Sequence, residues 1–231
     1  MNTCVTALIL AAGSGSRMNL NMTKQKIPFG QETVLRRSAR VFNDCESITS
    51  VIVVTREDEI DFAKKETEGL EKVRAVVVGG ATRAESARRG FSMVDESCDL
   101  VAIHDAARCF VTEKMITDVV CDAVKYGAAT ASSRVTDTVK CVDEASDIIK
   151  TVNRNELMLV QTPQVFRREL YKKAIDASMN AEIEFTDDNM MLEYIGIRPH
   201  CTDTGKTNIK ITTPDDLLFA DFLVNMEKKD G

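Results

Sequence analysis

Continuous apolar runs recur along the first half of the chain. Residues 5–10, 50–55, 74–78 and 100–104 are rich in Val, Ile, Leu and Ala. These runs lack the alternation of apolar and polar residues that a half-exposed strand shows, so they are typical of parallel strands buried on both faces. The pattern therefore predicts four strands in the middle of a sheet.

Between these runs, apolar residues recur at helical spacing. Helices are predicted over residues 57–67, 82–93 and 112–125. A further helix is predicted to begin after the N-cap residue Thr33, with Leu35 and Phe42 on one apolar stripe. The alternation of strands and helices predicts an α/β fold with a Rossmann-like open, mostly parallel sheet and helices on both faces. Ligands of such sheets bind at the carboxyl ends of the strands.

The alternation stops after Ser133. Residues 134–143 and 148–156 are two polar, β-prone runs joined by the turn EASD, with no crossover helix between them. This pattern predicts a protruding β-hairpin arm. A two-stranded hairpin is marginally stable alone, so we expect the arm to pack on another surface, such as a second subunit.

The α/β pattern returns after the arm. A last helix is predicted to begin at Pro214, with Thr213 as its N-cap. We therefore interpret residues 1–231 as a single domain that carries the arm at residues 134–157.

Composition narrows the class of protein. No stretch of about 18 apolar residues occurs, which predicts no membrane-spanning helix. The net charge of −6 argues against a general nucleic-acid binder. The seven cysteines are scattered without a CxxC pair, and there are only two histidines. This usage disfavours a disulfide framework or a zinc site, and it favours a reducing, cytoplasmic location.

A glycine-containing turn follows the first strand. Gly13 and Gly15 let backbone N–H groups approach an anion closely. Met18 stands where a dinucleotide fingerprint needs its third glycine, and the Gly-Lys-Ser/Thr of a P-loop is absent. The cations Arg17 and Lys24 follow instead, which suits a polyphosphate. A tight turn followed by solvated lysines is the alternative interpretation.

Two other predicted strands end in residues that suit a ligand site. The strand before Gly79 and Gly80 leads into a helix that contains Ser86, which indicates either a second wall of the site or an ordinary strand–helix turn. Asp105 follows another strand, at a position suited to a metal-bound nucleotide, since Mg²⁺ often takes one or two carboxylates plus phosphate oxygens. Asp105 could instead cap a helix. We interpret His104 as structural.

Two cations later in the chain are ambiguous on local pattern. Lys210 is predicted to lie in a short strand between Ile209 and Ile211, on the opposite face from both. Arg154 is predicted to be an exposed cation of the arm. Either side chain could simply be solvated.

Taken together, these segments resemble a known family. The resemblance is carried by LILAAGSGSRM…TKQ, GGATRAES, HDAAR, VTDTVK, TVNRNELMLVQTPQVF, EFTDDNMMLE and NIKITTPDDL. They occur in the order found in the 2-C-methyl-D-erythritol 4-phosphate cytidylyltransferases, which are CTP-dependent enzymes of the non-mevalonate isoprenoid pathway. The resemblance covers nearly the whole chain, and HDAAR, TPQ and the NIK segment are its most specific parts.

The resemblance implies a set of site residues, a metal and a partner. The nucleotide-binding set is Ala11, Ala12, Gly13, Gly15, Gly80 and Ser86. The cations implied in catalysis are Arg17, Lys24, Arg154 and Lys210. The acceptor-binding set is Asp105, Arg108, Thr138, Arg154, Thr162, Thr186 and Lys210. Asp105 is also the implied Mg²⁺ ligand, and the arm is implied to embrace a second subunit, so that Arg154 acts across a homodimer.

The implied reaction is attack by the phosphate of methylerythritol phosphate on the α-phosphorus of CTP. The nearest alternative is a ribitol-5-phosphate cytidylyltransferase, which shares the glycine turn and NIKITTP, whereas TDTVK and VNRNE favour methylerythritol phosphate. A nicotinamide-dependent dehydrogenase is disfavoured by the missing third glycine and by Arg17. A noncatalytic nucleotide-binding regulator is disfavoured by the intact cations.

The chain departs from the usual family pattern at a few positions. Met22 stands where the family often has a proline, and Cys109 stands where it usually has a proline. The segment TDDNMMLE replaces the commoner TDEASLVE-like segment. The last two departures lie near the implied acceptor site and bear on acceptor identity. We interpret Cys109 as a small filler of the core.

Overall fold

The computed structural model describes residues 3–13, 22–179 and 181–230. Its strands are β1 (Val5–Leu10), β2 (Pro28–Phe29), β3 (Glu32–Thr33), β4 (Ser50–Thr55), β5 (Val73–Val78), β6 (Leu100–Asp105), β7 (Ala128–Arg134), β8 (Val139–Val142), β9 (Ile148–Val152), β10 (Met158–Arg167) and β11 (His200–Asp203). Its α-helices are α1 (Val34–Asp44), α2 (Ile60–Glu66), α3 (Arg83–Phe91), α4 (Glu113–Tyr126), α5 (Arg168–Ser178), α6 (Asp188–Tyr194) and α7 (Pro214–Asp230). Short 3₁₀ turns occupy Lys24–Lys26, Glu57–Glu59 and Arg154–Glu156.

Seven strands form the main sheet, in the order β11-β7-β10-β6-β1-β4-β5. Neighbouring strands are parallel except at β10, which is antiparallel to both β6 and β7. The predicted mostly parallel, open α/β sheet is therefore confirmed. From β1 the chain first adds β4 and β5 on one side and then crosses to β6 on the other. The resulting crevice between β1 and β6 is where such sheets bind ligands.

Helices cover both faces of the sheet, as predicted. Alternate residues of β1 contact opposite layers, because successive side chains of a strand point to opposite faces. Ala7 and Ile9 belong to a buried cluster with residues of α1, α2 and α4. Leu8 belongs to a second cluster with residues of α3, α5 and α6. The near-continuous apolar strands are thus explained by burial on both sides.

The predicted starts of three helices are confirmed. Thr33, Thr82 and Thr112 are the N-caps of α1, α3 and α4, and each side-chain oxygen accepts a backbone N–H from the first turn. Such caps satisfy donors that have no partner inside the helix. No helix in the described parts of the chain combines the length and apolar character needed to cross a bilayer.

The start of α7 agrees with the prediction. Pro214 is its first residue, which places Thr213 at the N-cap position, and the Thr213 hydroxyl donates to Asp216 Oδ2. The same Asp216 oxygen accepts the N–H groups of Thr212 and Thr213, each at 2.8 Å. Although burial acts in the other direction, these hydrogen bonds lower the pKa of Asp216. Asp216, in the first turn of the helix, therefore reaches back to the N-cap residue and to the residue before it.

A third apolar cluster attaches α7 to the sheet. Its buried members are Ile27, Phe29, Val34, Cys109, Phe110, Ile211, Ala220 and Val224. Cys109 has no exposed surface and fills space in this cluster, as predicted. The cluster packs the segment that follows Lys24 against the segment that flanks Lys210.

The arm is confirmed as a separate two-stranded sheet of β8 and β9, although its strands are shorter than predicted. Arg134 is the last residue of β7, and β9 ends at Val152. As its polar pattern predicted, the arm contributes no buried side chain to the core over the described residues 134–157, yet it carries exposed apolar side chains. Val142, Ile148 and Ile149 are more than half exposed, at 52%, 65% and 64%. The arm therefore presents apolar surface within a single chain.

Candidate active site

Two cavities meet at the carboxyl ends of β1, β5 and β6. The large cavity, of about 380 Å³, is lined by Leu10, Ala12, Gly13, Lys24, Gln25, Gly80, Ala81, Thr82, Arg83, Ser86, Asp105, Ala107 and Lys210. The small cavity, of about 220 Å³, is lined by Arg83, Asp105, Arg108, Val160, Gln161, Thr162, Gln164, Thr186, Asp187 and Lys210. Arg83, Asp105 and Lys210 belong to both linings. These three side chains therefore form a charged wall between two adjoining compartments.

The two glycine motifs form adjacent walls of the large cavity, as predicted. A Cβ atom at Gly79 would lie 2.8 Å from the Cβ of Ala12 and 2.7 Å from the Ser86 hydroxyl, so only glycine permits this approach. The Ser86 hydroxyl accepts the N–H of Gly80 at 3.0 Å and donates to the Thr82 carbonyl at 2.9 Å. Ser86 thus holds the turn in place as well as lining the cavity.

Lys24 lines the large cavity and is only 8% exposed, so the alternative of a solvated lysine was wrong. Its neighbour Gln25 donates from Nε2 to the carbonyl oxygens of Ala11 and Gly13, at 2.5 and 3.5 Å. Gln25 therefore ties the lysine-bearing turn to the end of β1. The predicted site residues Gly15 and Arg17 lie outside the described residues.

Asp105 is the centre of the charged wall. Lys210 Nζ lies 2.6 Å from its Oδ2, and Arg83 Nε lies 3.2 Å from its Oδ1. Burial acts to raise the pKa of Asp105, but these two cations hold it well below its ordinary value. Asp105 is the last residue of β6 and accepts both cations through its side chain, so the helix-cap alternative was wrong.

The predicted strand around Lys210 was also wrong. Residues 208–212 form no sheet ladder, and the segment is held instead by the Ile211 N–H, which donates to the Ala107 carbonyl at 2.8 Å. Ile211 is fully buried, whereas Lys210 contacts Asp105. The predicted alternation of faces is therefore confirmed without the strand, because packing on the neighbouring loop replaces strand pairing.

Arg83 was missed by the sequence analysis. It is the first residue of α3, and its Nη1 donates to Asp188 Oδ2 at 2.6 Å. Asp188 has no exposed surface, and its other oxygen accepts the Tyr171 hydroxyl at 2.6 Å. Burial opposes the charge of Arg83, yet the two carboxylates raise its pKa, so it remains cationic. One signal in the sequence could have identified Arg83. It is a cation directly after an N-cap threonine, a few residues beyond the end of strand β5.

His104 is structural in this arrangement, as interpreted from the sequence. It has no exposed surface; its Nδ1 lies 3.1 Å from the Thr162 hydroxyl and its Nε2 lies 3.3 Å from the Arg108 carbonyl. The Thr162 hydroxyl also accepts the Asp105 N–H at 3.0 Å. His104 therefore supports Thr162 and Asp105 from behind.

Burial lowers the pKa of His104 to about 3, which predicts a pH dependence of stability. The unfolded chain binds a proton below about pH 6.5 that the folded chain rejects, so stability falls as the pH is lowered from 6.5 toward 3. The expected loss is up to about 1.4 kcal/mol per pH unit in this window. Urea unfolding of the protein and of His104→Gln at pH 7.0, 6.0 and 5.0 tests this. An equal pH slope in both proteins would contradict it.

The predicted acceptor-binding residues divide into two groups. Arg108, Thr162 and Thr186 line the small cavity together with Asp105 and Lys210. Arg108 donates from Nη1 to the Asn208 carbonyl at 2.9 Å, while its buried Nε has no hydrogen-bond partner among the described residues. Thr138 and Arg154 lie on or beside the arm and line neither cavity of their own chain. Arg154 donates to the Thr136 carbonyl.

The charged wall suits phosphate chemistry rather than a resident metal cage. Within the described ranges, no group of three His, Cys, Asp or Glu side chains is arranged to hold a metal ion. Asp105 offers one carboxylate to the large cavity, which suffices for Mg²⁺ that shares phosphate oxygens with a nucleotide. Such an ion would replace one of the two cations now at the Asp105 oxygens.

Known proteins resemble this chain over nearly its whole length. Residues 5–226 match the family described as IspD, 2-C-methyl-D-erythritol 4-phosphate cytidylyltransferase. A protein of that name from Alkaliphilus metalliredigens is 35% identical over 98% of this chain and 95% of its own length. Another from Caldanaerobacter subterraneus is 37% identical over 95% of this chain and 98% of its own.

Solved structures agree with the sequence comparisons. The 4-diphosphocytidyl-2C-methyl-D-erythritol synthase from Anaerococcus prevotii superposes with a TM-score of 0.87 at 29% identity, covering 97% of both chains. The 2-C-methyl-D-erythritol 4-phosphate cytidylyltransferase from Francisella tularensis gives a TM-score of 0.78 at 30% identity over 95% of this chain and 99% of its own. With the sequence match, these likenesses show that the chain belongs to the 2-C-methyl-D-erythritol 4-phosphate cytidylyltransferase family.

Proposed function

We propose that the chain transfers the cytidylyl group of CTP to 2-C-methyl-D-erythritol 4-phosphate. The products are 4-diphosphocytidyl-2-C-methyl-D-erythritol and pyrophosphate. The observation that carries the proposal is the pair of adjoining cavities separated by Arg83, Asp105 and Lys210. A nucleotide in the large cavity and a phosphate monoester in the small cavity would meet at this wall.

The chemistry calls for positive charge rather than for a general base. The acceptor phosphate is already an anion, so the barrier lies in bringing two anions together in line. Lys24 lines the large cavity, Arg108 lines the small cavity, and Lys210 lines both. The buried, unpartnered Nε of Arg108 is a donor that an acceptor phosphate would satisfy. No covalent nucleophile is required in this scheme.

The nucleotide would lie against the glycine walls. Ala11, Ala12 and Gly13 follow β1, and Gly80 follows β5. Nothing lies within 4 Å of a Cβ atom built at Gly13, so this turn leaves space for a ligand beside the backbone. Mg²⁺ bound with the nucleotide would be held by Asp105 and would neutralise phosphate charge.

Arg154 is proposed to complete the acceptor site of a second subunit. It lines neither cavity of its own chain, and the arm that carries it exposes Val142, Ile148 and Ile149. Burying that apolar surface against a second copy would stabilise a marginal hairpin. Thr138 lies in the same arm and would follow Arg154 into the partner's site. The cysteines are scattered without a CxxC pair, which suits a reducing cytoplasm, where we place the enzyme.

The acceptor preference is directly testable. In a pyrophosphate-release assay with CTP and Mg²⁺, methylerythritol phosphate is expected to give a kcat/KM at least about 10²-fold above that of ribitol 5-phosphate, the low end of the about 10²–10⁵-fold discrimination that differences in substrate hydroxyl groups produce. ATP, GTP and UTP in place of CTP serve as nucleotide controls. A higher kcat/KM with ribitol 5-phosphate would retain the cytidylyl transfer but overturn the proposed acceptor.

A further inference from the structure

The turn that carries Lys24 is fastened to a carboxylate far away in sequence. The Thr23 hydroxyl donates to Glu59 Oε1, and Lys26 Nζ lies 3.3 Å from the same oxygen. Lys26 also lies over the Phe62 ring, 5.2 Å from its centroid. Glu59 therefore contacts the residues on both sides of the Lys24–Gln25 pair.

The four residues of the segment TKQK have separate tasks. Thr23 and Lys26 contact Glu59, whereas Gln25 donates to the carbonyl oxygens of Ala11 and Gly13. Lys24 lines the large cavity. The turn is thus held to β1 on one side and to the start of α2 on the other, and these attachments determine where the Lys24 backbone lies.

Glu59 is poorly explained as a device for stability alone. It is 1% exposed, and its Oε2 is buried with no hydrogen-bond partner among the described residues. A buried carboxylate oxygen without a partner costs free energy. Its side chain makes no capping bond at the start of α2, for which Glu59 is the N-cap residue. Its described polar contacts are with the Lys24 turn.

We propose that Glu59 is a positioning residue, which sets the location of Lys24 through Thr23 and Lys26. Glu59 lines neither cavity, so its effect on a ligand bound there would be exerted through other residues. This inference rests on the proposed function, in which Lys24 acts on the CTP phosphates. A displacement of about 1 Å at such a group can cost about 10²-fold in rate.

The test is a double-mutant cycle between Glu59→Gln and Lys24→Ala, read by CTP binding and by pyrophosphate release. Glu59→Gln alone is expected to lower kcat by about 10-fold or more and to weaken CTP binding, with KM for the acceptor unchanged. In the Lys24→Ala background, the same change should alter both readouts by less than about 2-fold, because residues that act through one another are not additive. Equal effects in both backgrounds would overturn the proposal.

Control variants separate positioning from unfolding and from a wrong function. Glu57→Gln changes an exposed carboxylate of the same 3₁₀ turn and should match the unmutated protein. Thr23→Val and Lys26→Met each remove one contact to Glu59, and each should lower kcat even if Glu59→Gln fails to fold; unchanged kcat in both would overturn the proposal. If the unmutated protein binds CTP but forms no product, the proposed function fails, and the binding cycle still decides the role of Glu59.

Discussion

Lys24→Ala is expected to lower kcat by about 10²–10³-fold while the fold stays intact. Lys24 is 8% exposed and lines the large cavity beside the glycine turn, so its charge acts in a partly desolvated site. A positioned charge of this kind stabilises the transition state by about 3–4 kcal/mol. Steady-state pyrophosphate release with saturating CTP and acceptor measures the change.

The control for this prediction is another lysine removed in the same way. Lys65 is an exposed residue of α2, and Lys65→Ala should keep turnover close to that of the unmutated protein. Circular dichroism and the thermal midpoint establish that both variants are folded. Near-normal turnover in a folded Lys24→Ala protein would remove Lys24 from the mechanism.

Mixed dimers of Lys24→Ala and Arg154→Ala chains are expected to regain activity that neither variant has alone. If Arg154 serves the neighbour's acceptor cavity, a mixed dimer has one doubly damaged site and one intact site. Half of randomly paired dimers are mixed, and each has one working site, so activity should reach about one quarter of the normal value. The two variants are unfolded together, refolded and assayed for pyrophosphate release.

The comparison sample is the two variants refolded separately and then combined. Mass spectrometry of differently tagged chains measures the fraction of mixed dimers. Recovery of activity only in the co-refolded sample would support a shared site. Mixed dimers without recovered activity would show that Arg154 serves its own chain or has no role in turnover.

Local sequence patterns predicted a large part of the fold. The apolar runs identified β1, β4, β5 and β6, and the helical spacing of apolar residues with the N-cap Thr33 identified the helices among them, because burial and helix capping both constrain residues that are close in sequence. The glycine motifs likewise indicated a ligand wall. Glycine at Gly79 is required by the approach of Ala12, so the residue type itself reports a close contact.

Other features of the structure could not be predicted from residues that are close in sequence. The antiparallel insertion of β10 between β6 and β7 depends on the path of the whole chain. Lys210 was assigned to a strand because its apolar neighbours alternate with it, yet packing on the Ala107 loop produces the same alternation without a ladder. The arm was interpreted as polar, although individual apolar residues on it are exposed.

The sequence by itself determined the class of fold, the order of the elements in the first half of the chain, the resemblance to the family and half of the residues that line the two cavities. Only the tertiary structure decided how those residues are held. Asp105 and Lys210 are 105 positions apart, as are Arg83 and Asp188, and Glu59 is 36 positions from Thr23. Such pairs meet because the strand order brings their loops to one edge of the sheet, and local periodicity carries no information about that order.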